Sequence, residues 1–365
     1  MAEIEPSGSY LLRLDPRFPF DDVDAIGRRL VASGALVPGY VPPDAGLLSI
    51  WAFKHAQDID DSRTLLQPDR NLISRMARVA RDGVPATVDT PTRIAIDLMA
   101  FAQSMDLEID PSIAFHELAH REGNDIAQEE LRWFRAADHG QALAWIDLAH
   151  GRASRVPIIN SRGREDVDLA KPIYRWNRNY VVALKTAELE LSAMQPLDRA
   201  LALLRWMGDD FFFAGPAAIF ATMYFSPFAA KRRLFKQLRS ADRERAIAGV
   251  RNAAWDITYL SQFIAQLPRS HTENVFFILA TADRGLAEIA PVLTIDADEA
   301  DYVEALTGRL ANWWPPREAM TIAEACFARV KAVESRTEPL PFFDSAMTRG
   351  LIDTGESLVR AWTPA

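Results

Sequence analysis

Asn274-Val275-Phe276-Phe277-Ile278-Leu279-Ala280 is an almost unbroken apolar run dominated by aromatic and β-branched side chains. A strand of that kind is covered on both faces, as at the centre of a parallel sheet. Outward from it, Ala246–Leu267 reads as a long helix before the run and Arg284–Ile289 as a short one after it. A second strand candidate, Thr64-Leu65-Leu66-Gln67-Pro68, stops at Asp69 and is followed by helical spacing over Asn71–Ala80. Gly83–Pro91 reads as a loop and Arg93–Met105 as a helix. Leu107-Glu108-Ile109 is a third short strand, and Pro111-Ser112 opens a helix that carries Glu117. Strand, helix, helix, strand, helix is the order that builds a parallel sheet.

Most of the remaining chain has helical spacing. A helix is expected from about Asp22 to Ser33, ended by Gly34 and the prolines beyond it, whereas Leu47–Lys54 fits helix and strand equally. Helices are expected over Asp125–Ala137, Gly140–Ala149, Pro172–Met194 and Leu197–Trp206, and again from Asp296 to the end. The expected class is α/β with a mostly parallel central sheet and a large helical share. It divides into an N-terminal extension (1–60), an α/β core (61–123 and 247–295), a helical insertion (124–246) and a helical C-terminal extension (296–365).

The chain has 365 residues and a formal net charge of −9, which argues against coating nucleic acid through a general positive field. Positive charge is nevertheless concentrated at Lys231, Arg232, Arg233, Lys236, Arg239, Arg243, Arg245 and Arg251, opposed locally only by Asp242 and Glu244. Such a run is either a solvated helix face or a guide for a polyanion. Phe211–Ala230 carries no charge, but Gly215, Pro216, Pro227 and several alanines dilute it, so a buried core helix is expected and no membrane partner. The single cysteine, Cys326, lies in an apolar helical pattern and is expected to be a buried, inert thiol. Met1–Ser9 has acids where a signal peptide carries bases, so a cytoplasmic location is expected; a homo-oligomer is left open.

Two constellations compete for the chemistry. His116-Glu117-Leu118-Ala119-His120 matches HExxH, in which two histidines one helical turn apart hold zinc and the glutamate activates water. No third histidine stands at the spacing that extends this motif, and no downstream acid is marked as a third ligand. The second constellation is acidic. Asp69 follows one strand candidate, Glu117 lies in the helix after another, Asp256 lies inside an amphipathic helix, and Asp283 follows the apolar run. Residues just past the carboxyl ends of parallel strands share one edge, where open α/β folds place their sites. Carboxylates gathered there repel one another unless a hard divalent cation, Mg²⁺ or Mn²⁺, lies among them.

These segments resemble the PIN-domain nucleases: Asp69-Arg70-Asn71 after TLLQP, Ile109–Leu118 around Glu117, Asn252-Ala253-Ala254-Trp255-Asp256, and Phe277–Asp283 with a threonine two before the aspartate. The resemblance covers about 62–123 and 249–289. It implies a PIN-like three-layer α/β/α fold and metal-dependent hydrolysis of a phosphodiester, with RNA as the expected substrate. Asp69, Glu117, Asp256 and Asp283 would bind the Mg or Mn. Asn71, Asn252 and Thr281 would support them, and Lys231, Arg232, Arg233, Lys236 and Arg239 would guide the polyanion. Each acid also has a plainer role: Asp69 and Asp283 as helix N-caps, Glu117 as a surface glutamate. Asp256, within an apolar helix, needs a partner or a role. Two other functions remain as alternatives: a zinc peptidase through His116, Glu117 and His120, and a non-catalytic interaction protein on a degenerate nuclease fold.

Overall fold

The computed structural model describes residues 13–157, 167–229, 234–295, 301–335 and 345–363. Met1–Ser9 and Lys231–Arg233 lie outside the described residues. The chain runs through α1 (Phe20–Ser33), β1 (Leu36–Pro38), α2 (Ile50–Asp58), β2 (Arg63–Pro68), α3 (Arg70–Asp82), α4 (Thr90–Met105), β3 (Glu108–Ile109) and α5 (Ser112–Glu122). It continues through α6 (Asn124–Asp138), α7 (Ala142–Ala149), α8 (Tyr174–Leu191), α9 (Pro196–Asp209), α10 (Gly215–Phe225) and α11 (Arg243–Gln266). α12 (Arg269–Glu273), β4 (Val275–Ala280), α13 (Arg284–Leu293), α14 (Tyr302–Leu310), α15 (Pro316–Glu334) and α16 (Ser345–Ala361) complete it. The chain is therefore α/β with a large helical part.

Contacts divide the chain into two compact units. The first comprises Met1–Pro111, Gln128–Glu165 and Pro268–Ala282; the second comprises Ser112–Ala127, Asp166–Leu267 and Asp283–Ala365.

The first unit is built on a four-stranded sheet of order β1-β4-β2-β3. β4 and β3 both run parallel to β2, and β1 closes the β4 edge in the antiparallel sense. β4 is central, and Val275 and Phe277–Ala280 are buried, as its continuous apolar sequence requires. The expected boundary at residue 60 is corrected here. Leu36–Pro38 pairs with Ile278–Ala280, and α1 packs on α4, so the N-terminal segment belongs to the sheet unit and is not an extension of it. Of Leu47–Lys54, ambiguous in sequence, Ile50–Lys54 becomes the start of α2, capped by the Ser49 side chain, which accepts a hydrogen bond from the Ala52 amide. Arg29 on α1 holds the buried carboxylate of Asp97 on α4 with two guanidinium hydrogen bonds of 3.0 and 2.8 Å.

The second unit is helical. α8 packs against α11 and α16, while α10 lies against α9, α11 and α13. Ala217–Phe225 is buried without interruption, so the uncharged stretch is core helix. A helix apolar on every side has no other stable environment in water. Among the described residues, no helix is long and apolar enough to cross a membrane. Cys326 is buried, and burial pushes its thiol up to about 12, so it stays protonated.

α11 begins at the Asp242 cap and passes beneath the carbonyl of Lys236 at Gly249, where a Cβ would collide with that oxygen. Backbone cannot yield as a flexible side chain does. Gly249→Ala is therefore expected to lower unfolding stability by about 3 kcal/mol, the upper part of the range for overpacking. Denaturant titration of both proteins measures it, and a change within about 0.5 kcal/mol, as at an unconstrained surface position, contradicts the packing.

Candidate functional site

In the first unit, the β2–β4 register runs from Arg63↔Val275 to Pro68↔Ala280, so the two strands end side by side. The Asp69 amide donates to the Ala280 carbonyl at 2.8 Å, extending the ladder by one step. The Asp69 carboxylate then divides its oxygens. Oδ1 accepts from the Leu72 amide at 2.9 Å and caps α3, and Oδ2 accepts from the Thr281 hydroxyl at 2.6 Å. Both residues are buried, at 4% and 1% exposure. Asp69 is thus the helix cap its position allowed and, at the same time, the partner of Thr281. Asn71, two residues on, is exposed in the first turn of α3.

The other three acids belong to the second unit. Glu117 on α5 is 6% exposed, so the surface-glutamate reading does not hold. The Tyr259 hydroxyl donates to its Oε2 at 3.1 Å, and the Arg121 guanidinium lies 3.7 Å from Oε1. Asp256 is half-buried and accepts from the Asn252 amide at 3.3 Å, so the two share a helix face as their spacing requires. Asp283 caps α13, its Oδ1 accepting from the amides of Gly285 at 2.8 Å and Leu286 at 3.4 Å. Among the described residues, no group of three or more His, Cys, Asp or Glu is arranged to hold a metal ion.

The HExxH residues have main-chain partners. His116 is half-buried with its Nδ1 2.7 Å from the Leu169 carbonyl, and His120 has its Nε2 3.1 Å from the Lys171 carbonyl. Burial, opposed only in part by the Leu169 carbonyl, holds the His116 imidazole below its ordinary pKa. The pair tethers the 169–171 segment to α5.

Much of the basic run is engaged within the second unit. Arg239 donates to the Glu190 carbonyl and carboxylate at 3.2 and 3.3 Å. Arg243 donates to the carbonyls of Leu238, Ser240 and Val359. Arg245 pairs with Asp242, while Lys236 is exposed.

Glu117 and Asn252 open onto a cavity of about 680 Å³ in the second unit. His120 and Arg121 of α5 line it, with Trp176 and Tyr180 of α8. Arg251 and Trp255 of α11 and Glu356 of α16 complete its polar and aromatic wall. The rings form a connected array: Trp176 stacks on Tyr180 at 4.9 Å and meets Trp255 at 5.4 Å, and the His120 ring lies nearly parallel to Trp176 at 6.2 Å. Sequence reasoning missed Trp176, Tyr180, Tyr259 and Glu356, and read Arg251 only as part of the basic run. One signal was present, since Trp176 and Tyr180 are four apart, as are Arg251 and Trp255.

Glu356 organises one wall. Its Oε1 accepts from the Tyr180 hydroxyl at 2.6 Å and from Arg251 at 2.7 Å, and its Oε2 lies 2.9 Å from Arg360. Burial opposes its charge, but the hydrogen bonds from Tyr180 and Arg251 outweigh that and hold its carboxyl below the ordinary glutamate range. A depressed folded-state pKa stabilises the fold above the unfolded value, and that stabilisation is lost as pH falls through the folded one. Glu356→Gln should therefore cost about 1–3 kcal/mol at pH 7. The deficit should shrink below about pH 4, near the unfolded glutamate pKa. Thermal melts of both proteins across pH measure it, and a deficit constant from pH 7 to 3 contradicts the ionic origin.

Compared with protein-family models, curated proteins and solved structures, the chain matches none.

Proposed function

We propose that this chain is a PIN-like, metal-dependent ribonuclease whose acidic residues are Asp69, Glu117, Asp256 and Asp283. One observation carries the reading. Two motifs separated by more than two hundred residues meet at the carboxyl end of parallel strands, where Thr281 donates to Asp69 at 2.6 Å. An open α/β sheet carries its chemistry at that edge. The Thr281–Asp283 spacing and the Asn252–Asp256 hydrogen bond agree with the remaining motifs.

The donor chemistry fits Mg²⁺ or Mn²⁺, since carboxylate oxygens are hard ligands. A divalent ion supplies activation of water and neutralisation of charge on the scissile phosphate. The residues of this chain have separate tasks. Thr281 orients the Asp69 carboxylate, Tyr259 orients that of Glu117, and Asn252 orients that of Asp256. Asn71, exposed at the start of α3, is available to a phosphate.

A second reading, a binding protein on a degenerate nuclease fold, draws support from the capping roles of Asp69 and Asp283 and from the internal partners of Arg239, Arg243 and Arg251. Labelled single-stranded RNA incubated with the purified chain and Mn²⁺ or Mg²⁺ separates the two. The ribonuclease reading expects ion-dependent cleavage that falls at least a hundredfold in Asp69→Asn and in Asp256→Asn, with circular dichroism showing both variants folded. RNA left intact by the wild-type protein with either ion, or cleaved equally by these variants, overturns it.

A further inference from the structure

The cavity of the second unit combines features that the carboxylate chemistry does not use. Its aromatic wall presents the exposed ring of His120 and the half-buried indole of Trp176, with Trp255 and Tyr180 buried behind them. Its two arginines are open to solvent, the side chains of Arg121 and Arg251 being 57% and 52% exposed. Arg121 stands 3.7 and 3.6 Å from Glu117 and Glu122, too far for good hydrogen bonds, so guanidinium donors remain for a ligand.

Charge decides the ligand class. Aromatic rings beside two carboxylates can form a cage for an amine. Here Glu356 already holds Tyr180, Arg251 and Arg360, and Glu117 holds Tyr259 beside Arg121. An entering cation would have to displace guanidinium groups and would meet their charge. A planar aromatic group joined to an anion meets neither obstacle. The rings offer it a stacking surface, the guanidinium groups offer donors for phosphate oxygens, and Asn252 carries both a donor and an acceptor for a polar edge. A volume of about 680 Å³ suits a ligand of nucleotide size.

We infer that this cavity binds one nucleotide of single-stranded RNA, the base against Trp176 and His120 and the phosphate at Arg121 and Arg251. The inference takes its choice of polymer from the ribonuclease reading, but not its test. With EDTA present to prevent cleavage, tryptophan fluorescence of the full chain is titrated with three probes: an oligoadenylate of about seven nucleotides, an abasic oligomer of the same length, and adenosine monophosphate. The oligoadenylate is expected to quench the emission and to bind at least tenfold more tightly than the abasic oligomer, since stacking contributes roughly 1–3 kcal/mol per base. Trp176→Leu should remove that difference and Trp176→Phe should retain part of it, with circular dichroism confirming that both variants are folded. Arg121→Gln should weaken both oligomers and flatten the salt dependence.

Equal affinity for the abasic and base-bearing oligomers, or unchanged base preference in folded Trp176→Leu, overturns the site. Adenosine monophosphate binding as tightly as the oligomer overturns the assignment to RNA in favour of a free nucleotide. Base-dependent binding by a protein that cleaves nothing supports this site while removing the ribonuclease reading; cleavage without base-dependent binding does the reverse.

Discussion

The parallel pairing of Arg63–Pro68 with Val275–Ala280 is the constraint on which the first unit depends. Parallel strands cannot be joined by a tight turn, and here the intervening chain is more than two hundred residues long. Loop-closure entropy grows only logarithmically with length, so so distant a pairing is affordable if its partners bury enough apolar surface. β4 does so through Phe277, Ile278 and Leu279, all at 0% exposure. Once the strands are in register, Asp69 and Thr281 are brought together as a consequence. The hydroxyl of Thr281 satisfies a buried carboxylate oxygen that would otherwise be costly.

In the second unit, α11 does comparable work by periodicity. Arg251, Asn252, Trp255, Asp256 and Tyr259 recur at the spacing of one helix face, and each has a named partner or lines the cavity. The opposite flank buries Ala253, Ala254, Ile257 and Leu260, and Asn179 of α8 donates to Thr258 at 3.0 Å. Polar residues are tolerated in so apolar a helix because each meets a group of opposite character: a hydroxyl with a carboxylate, an amide with a carboxylate, a guanidinium with a glutamate. The same pairing rule explains the partners of Arg239 and Arg243 in the basic run. Their long side chains reach carbonyl and carboxylate oxygens that the bundle has removed from water.

Local features were the most legible. Asp69 and Asp283 cap the helices that follow them because a short acidic side chain satisfies orphaned amides within three residues. The apolar runs at 215–225 and 275–280 became buried helix and central strand because nothing else accommodates them. The shared face of Asn252 and Asp256 followed from spacing alone. The role of residues 20–58 was not legible, because Leu36–Pro38 is too short to read as a strand and is one only where β4 offers an edge.

Sequence by itself therefore determined short-range facts: most of the helices, the run that must be central strand, the caps at Asp69 and Asp283, and which acids stand beside strand ends. Tertiary structure decided the long-range ones. Only the folded chain joins Thr281 to Asp69, sets Tyr259 on Glu117, turns Arg239 and Arg243 onto internal oxygens, and draws Trp176, Arg251 and Glu356 from three helices around one cavity. The division has a physical cause. Helix and cap energies depend on neighbours within about four residues and so are written in local order. The partner of a buried polar group is selected by which surfaces exclude water together, a property of the packed chain and not of any segment.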